Sequence, residues 1–151
     1  MKEHNEGEKT NFNRQIFVNL PVKDLDKTIA FFTKLGFTFN PQFTNENATC
    51  MIVSDSIFVM LLVEPFFKSF IKKDICDARK STEVLMGLSA ESRVKVDAMV
   101  NSAIAAGGKE PRPSQDHGWM YGRVFEDPDG HIWEIMYMDE SKMPEEMKNK
   151  K

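Results

Sequence analysis

Cysteine is scarce. Cys50 and Cys76 are the only two in 151 residues, and neither belongs to a CxxC pair or a Cys/His cluster. That spacing excludes a disulfide-stapled scaffold and a zinc module, and leaves both as packing residues with free thiols. A long apolar run is also missing: nothing approaches the roughly 18 residues of a membrane span. The opening MKEHNEGEKTN is polar from its first residues and lacks a signal-peptide core. A cytoplasmic chain without a membrane partner is therefore expected, in which the Asn47-Ala48-Thr49 sequon has no role. Excess basic charge is absent too. The 20 Lys and Arg are scattered among 23 Asp and Glu, for a net charge of -3. No basic stripe offers itself to a phosphate backbone, so nucleic acid is not an expected partner.

What is present is enough for one core. A chain of this length with 41% hydrophobic residues builds a single compact domain and is too short for two conventional ones. The most informative stretch is Tyr121 to Met138, YGRVFEDPDGHIWEIMYM. Asp127, Pro128, Asp129 and Gly130 supply a tight turn, with φ fixed at Pro, Asp side chains for nearby backbone groups, and positive φ accessible at Gly. The run reads as a hairpin. After the turn, His131, Trp133, Ile135 and Tyr137 share one face, while Ile132, Glu134, Met136 and Met138 share the other. Both faces are largely apolar, so the strand is expected to be covered on both sides. An ionised Glu134 there needs a cavity, a partner or a ligand, unless it sits at a solvated sheet edge.

The chain also repeats its pattern. Gln15 to Val22 reads as a strand, and Asp24 caps a helix over Leu25 to Lys34 with Leu25, Ile29 and Phe32 on its apolar face and Gly36 beyond its end. Strands are expected at Phe37 to Thr44, Ala48 to Ser54 and Ile57 to Glu64. The order begins again with a strand at Glu83 to Ala90 and a helix at Val94 to Ala106. Ser92 caps that helix, Val96, Met99, Val100 and Ala103 share one side, and Gly107 and Gly108 stop it. A weak strand at Lys109 to Ser114 and the hairpin complete the second unit. Aligned positions keep a steady offset: Asn19 to Gly87 is 68 residues, Gly36 to Gly107 is 71, and Met60 to Glu134 is 74. Two βαβββ modules follow, spanning 15–64 and 83–139 of a single domain at 15–139, between polar tails at 1–14 and 140–151. Residues 65–82 join them, and the apolar Phe66, Phe67, Phe70 and Ile71 in that linker read as core packing, with a short helix or an arm on a partner subunit as the alternatives.

A duplicated βαβββ unit ending in strand-DPDG-strand, with a Glu four residues past the Gly, resembles the vicinal oxygen chelate superfamily. That group includes glyoxalase I, extradiol dioxygenases and the fosfomycin and bleomycin resistance proteins. The likeness covers about Gln15 to Asp139, and the run LSAESRVKVDAMV to DPDGHIWE is similar to the branch labelled predicted lactoylglutathione lyase. The resemblance implies an α+β fold in which two βαβββ modules form a cupped, partly open, barrel-like sheet. It also implies a homodimer, because modules in the family commonly pair across subunits. The family holds a divalent metal with His and Glu ligands from the first and last strands of each module. Those addresses fall here on Asn19, Met60, Gly87 and Glu134. Only Glu134 is a good ligand. Asn19 is a neutral amide, Met60 a soft thioether, and Gly87 has no side chain, so a tight metal cofactor is not expected unless His117 or a second subunit supplies ligands.

The expected site is a small-molecule cup centred on Glu134 and lined by Asn19, Phe58, Met60, Gly87, Trp119, Tyr121 and Met136. His117, in the loop QDHGWMYG, is either an acid or base near neutral pH or a residue capping backbone groups. Trp119 and Tyr121 either stack on a planar ligand or fill core. Arg123 reads as a surface partner of Glu126 or Asp127, and His131 as structural. Three functions fit. The first is a binder that sequesters a small molecule, with Glu134 pairing a cationic or donor group. The second is a metal-independent lyase or isomerase in which Glu134 is the base and Asn19 or His117 stabilises an oxyanion. The third is a metal-dependent lactoylglutathione lyase-like or dioxygenase-like enzyme with unconventional ligands.

Overall fold

The computed structural model describes residues 12–148; His4 and most of the polar N-terminal tail lie outside them. Each half builds one four-stranded sheet with a helix across it. In the first, β1 (Ile16–Val22), β2 (Thr38–Asn40), β3 (Ala48–Ile52) and β4 (Ile57–Val63) lie in the order β1-β4-β3-β2, and α1 (Leu25–Lys34) follows β1. A short α2 (Glu64–Lys68) leaves β4. In the second half, β5 (Leu85–Ser89), β6 (Gln115–Asp116), β7 (Met120–Glu126) and β8 (Ile132–Met138) lie in the order β5-β8-β7-β6, with α3 (Arg93–Ala105) after β5. A last helix, α4 (Glu145–Lys148), falls in the C-terminal tail. The orders are identical, so the duplication read from pattern is the duplication of the fold.

The caps form where the sequence puts them. Asp24 accepts from the Lys27 N–H at 3.1 Å, and Ser92 accepts from the Lys95 N–H at 3.1 Å. The buried face of α1 is Leu25, Thr28, Phe31 and Phe32, rotated from the expected face because Phe31 takes the place of Ile29. On α3, Val96, Val100 and Ala103 are buried as expected. Both helices and the inner faces of both sheets share one core, in which Phe32 meets Trp133 at 5.0 Å and Phe31 meets Phe125 at 5.9 Å between ring centroids.

Four expectations are corrected. The strand after Gly36 is short because Pro41 opens a 3-10 turn over Pro41–Phe43, capped by Asn40. The segment 109–114 forms a single bridge, Lys109 to Glu126, and the paired edge strand comes later at Gln115–Asp116; the prolines at 111 and 113 have no N–H to give a ladder. The linker does not join the core: Phe70 is 67% exposed and none of residues 65–82 is buried. Cys50 packs as expected at 2% exposure, whereas Cys76 is an exposed thiol on that linker. The two sheets are open, and no ladder among the described residues joins one to the other.

The DPDG turn joins the halves. Gly130, at φ +92°, donates to the Asp127 carbonyl at 3.0 Å. The buried Asp127 carboxylate accepts from the N–H groups of Asp129 and His131 and from the Trp133 indole at 2.9–3.1 Å, while burial pushes its carboxyl up. Asp129 then reaches the first module, accepting from the Lys23 N–H at 2.9 Å, and His131 Nε2 meets the Pro21 carbonyl at 2.7 Å. His131 is therefore structural, as the sequence implies.

Candidate functional site

Strand register assembles the four metal addresses in pairs. Asn19 stands opposite Met60 in the first sheet, and Gly87 opposite Glu134 in the second. Their neighbours on the same strands, Leu20 and Leu61 in one sheet and Ile135 in the other, belong to the core, so all four positions lie on the faces turned away from the helices. Phe58 shares the face of Met60, where its ring stacks on Phe17 at 5.0 Å. Met136 shares the face of Glu134. A Cβ at Gly87 would stand 3.2 Å from Met136 Cε and 4.0 Å from Glu134 Oε1, so the missing side chain is the room these two occupy.

Glu134 is not left without a partner. It is half-buried, cross-strand from the buried Val124, and its Oε2 accepts from the guanidinium of Arg112. Arg112 reaches it from the loop after α3, between Pro111 and Pro113, which stiffen the backbone on both sides. The loop is anchored on the opposite face of β7. Arg123 donates to both carboxylate oxygens of Glu110 at 2.9 Å and to Asp97 of α3 at 2.9 Å, and the Tyr121 hydroxyl donates to the same Asp97 oxygen at 2.6 Å. The hydrogen bond from Arg123 holds the Glu110 carboxyl below its usual range, and those from Tyr121 and then Arg123 do the same for Asp97. The bond to Asp97 in turn raises the Tyr121 phenol.

This network moves several expected residues away from Glu134. Tyr121 and Arg123 face α3, and Arg123 pairs with Glu110 and Asp97 rather than with Glu126 or Asp127. Tyr121 therefore lies on the other side of the sheet from the cup it was expected to line. Trp119, half-buried ahead of β7, has its carbonyl bonded by the Asp139 N–H at 2.6 Å. His117 is exposed, its N–H donates to the Met120 carbonyl at 2.8 Å, and no hydrogen bond ties it to Glu134. Its neighbour Asp116 makes a two-pronged pair with Arg93 at 2.8 and 2.9 Å, and the Arg93 guanidinium lies 4.9 Å from the Tyr121 ring centre. The residue missed by sequence reasoning is Arg112, which the chain holds between Pro111 and Pro113.

The donor set does not fit a tightly held divalent metal. Of the four addresses only Glu134 carries a carboxylate, and Arg112 already satisfies it. Among the described residues no three His, Cys, Asp or Glu side chains gather closely enough to hold an ion. No helix among them is long and apolar enough to cross a membrane.

A family model described as the Glyoxalase/Bleomycin resistance protein/Dioxygenase superfamily matches residues 14–135. Comparison with curated proteins gives no significant match. Among solved structures, the chain is similar to hypothetical protein SA1046 from S. aureus, at 26% identity and a TM-score of 0.71 over 84% of this chain and 95% of that one. It is similar to a glyoxalase-related enzyme from Fulvimarina pelagi, at 20% identity and 0.70 over 83% and 88%. It is also similar to a bleomycin resistance determinant encoded on the transposon Tn5, at 18% identity and 0.60 over 84% and 99%. The last two carry the fold alone.

Proposed function

The chain belongs to the Glyoxalase/Bleomycin resistance protein/Dioxygenase superfamily, and on that premise we propose that it is a small-molecule-binding protein whose ligand lies on the helix-distal sheet faces, with Glu134 as its charged anchor and no tightly held metal. The observation that carries this reading is the chemistry of the Glu134 face. One carboxylate sits among Val124, Gly87 and Met136, and its one partner among the described residues is a guanidinium on a loop. A planar cation is therefore what Glu134 already accepts, and a ligand with a cationic or donor group takes the place of Arg112.

A second copy completes the cup in this reading. Phe17, 49% exposed, and Leu85, 57% exposed, lie on the edge strands β1 and β5 on the helix-distal faces. A homodimer that sets the first sheet of one copy against the second sheet of the other covers both. The two unpaired thiols suit the reducing cytoplasm we assign to it.

The test is a thermal-shift screen of small aromatic and cationic compounds on the wild type and Glu134→Gln, beside elemental analysis of chelator-free protein. Ligands that stabilise the wild type and not the variant are expected, with metal far below stoichiometry. Near-stoichiometric nickel, zinc, manganese or iron that is lost in Glu134→Gln would sink this reading in favour of a lyase or oxygenase.

A further inference from the structure

The linker crosses from one half to the other without packing down. Its first end is held by α2, where Glu64 lies 3.9 Å from Lys23. Its last end is clamped to the DPDG turn, where Arg79 donates to the Pro128 carbonyl at 2.6 Å. A Cβ on Gly130 would stand 2.8 Å from Arg79 Cγ and 3.0 Å from Arg79 N. Between these pins the chain bridges a cavity of about 370 Å³. That lies in the range of small-molecule pockets. Its wall is apolar, with Phe67, Ile71 and Ile75 in the roof and Pro21, Val84 and Ile132 beneath. Glu134 does not line it.

One buried polar group does. His131 is 9% exposed, and its Nε2 must donate to Pro21, because a carbonyl only accepts. In the neutral ring Nδ1 is then an acceptor, and it has no partner among the described residues. Yet none of their fully buried side-chain nitrogens or oxygens lacks a partner. Nδ1 therefore keeps an accessible edge, and His131 is one of the residues that line this cavity. The charged lining residues, Lys73, Asp74 and Glu83, are all exposed, so no buried charge is provided for an ionic guest.

We propose that the space beneath the linker is a second binding site, for an uncharged, largely apolar small molecule with one hydrogen-bond donor, of the phenol or aromatic amine class, which donates to His131 Nδ1. It adjoins the helix-distal faces through Asn19 and Ile132 but takes no lining residue from Glu134, so the two sites are separable by mutation.

The test compares 4-propylphenol with its methyl ether, matched in apolar body but lacking the donor, by calorimetric titration into the full chain. Protection of Cys76 from a thiol reagent locates the guest, since Cys76 lines the cavity and Cys50 is buried. The phenol is expected to bind and protect Cys76, with the ether about three- to ten-fold weaker. Ile71→Trp, which fills the space from the exposed linker, is expected to lose binding at unchanged Tm, while Glu134→Gln binds as wild type. Equal affinity for phenol and ether, no protection of Cys76, undiminished binding in Ile71→Trp, or loss of binding in Glu134→Gln would each overturn the proposal. Loss in Glu134→Gln would return the guest to the Glu134 face.

Discussion

Arg123 grips Glu110 with two parallel hydrogen bonds of 2.9 Å, and that grip sets where Arg112, two residues on, can stand. The Arg123 side chain is only 12% exposed and that of Glu110 25%, so the pair is shielded from solvent on most sides. Arg123→Met should lower stability by about 1–3 kcal/mol, since it strands Glu110 and Asp97 together. Urea denaturation measures it, and a change below about 0.5 kcal/mol would mean the loop is anchored elsewhere.

The same network fixes a pH dependence. Glu110 and Asp97 titrate below their ordinary values of 4.5 and 3.8 in the folded chain. As pH falls the unfolded chain takes up protons first, so the stabilisation is present above about pH 5 and is lost through the acid range below it. Urea midpoints between pH 7 and pH 3 should fall in the wild type and fall less in Arg123→Met. Parallel curves for the two proteins would remove these carboxylates from the account.

Asp129 is the polar hinge between the halves. Asp129→Ala leaves the Lys23 N–H without its 2.9 Å acceptor and should cost about 1–3 kcal/mol in a single cooperative transition. Thermal unfolding decides it; two separated transitions would show that the halves melt independently.

Gly130→Ala meets two obstacles, a φ of +92° and the Arg79 backbone. A loss of at least about 1 kcal/mol is expected. Because the linker must shift to admit the methyl group, Cys76 should also react faster with a thiol reagent. An unchanged labelling rate would show that the far end of the linker is not held by this contact.

Leu85→Glu places a charge on a 57% exposed strand position. Sedimentation velocity is expected to find a dimer for the wild type and a monomer for the variant. A wild-type monomer would remove the second copy from the proposed cup.

Much of the fold was legible because its signals are local. Asp24 and Ser92 cap the helices they precede, and the period-two alternation of β8 correctly separates Trp133 and Ile135, which face the core, from Glu134 on the other side. The equivalence of Asn19 with Gly87 and of Met60 with Glu134 was recoverable from the offset between repeats, and each pair occupies the same place in its sheet. What failed was long-range. The sides taken by Tyr121 and Arg123 depend on Asp97 and Glu110, whose carboxylates decide which face of β7 is polar. Arg112 was invisible as a partner of Glu134 because 22 residues of loop and strand lie between them. The linker misled because its apolar residues resemble core, and only the clamp at Gly130 and Pro128 shows that they span a space instead.

The seating of Phe31 and Phe32 against Phe125 and Trp133 has a consequence for how the chain is made. The first helix finds part of its cover about a hundred residues downstream, and the Pro21 carbonyl finds its partner in His131. During synthesis the leading half must wait, with two phenylalanines uncovered, until the final hairpin leaves the ribosome. A gene fragment encoding only the leading module should therefore yield aggregated product, and co-expressed halves should recover soluble protein by finding each other. The repeat that looks like two interchangeable units behaves, at birth, as one indivisible one.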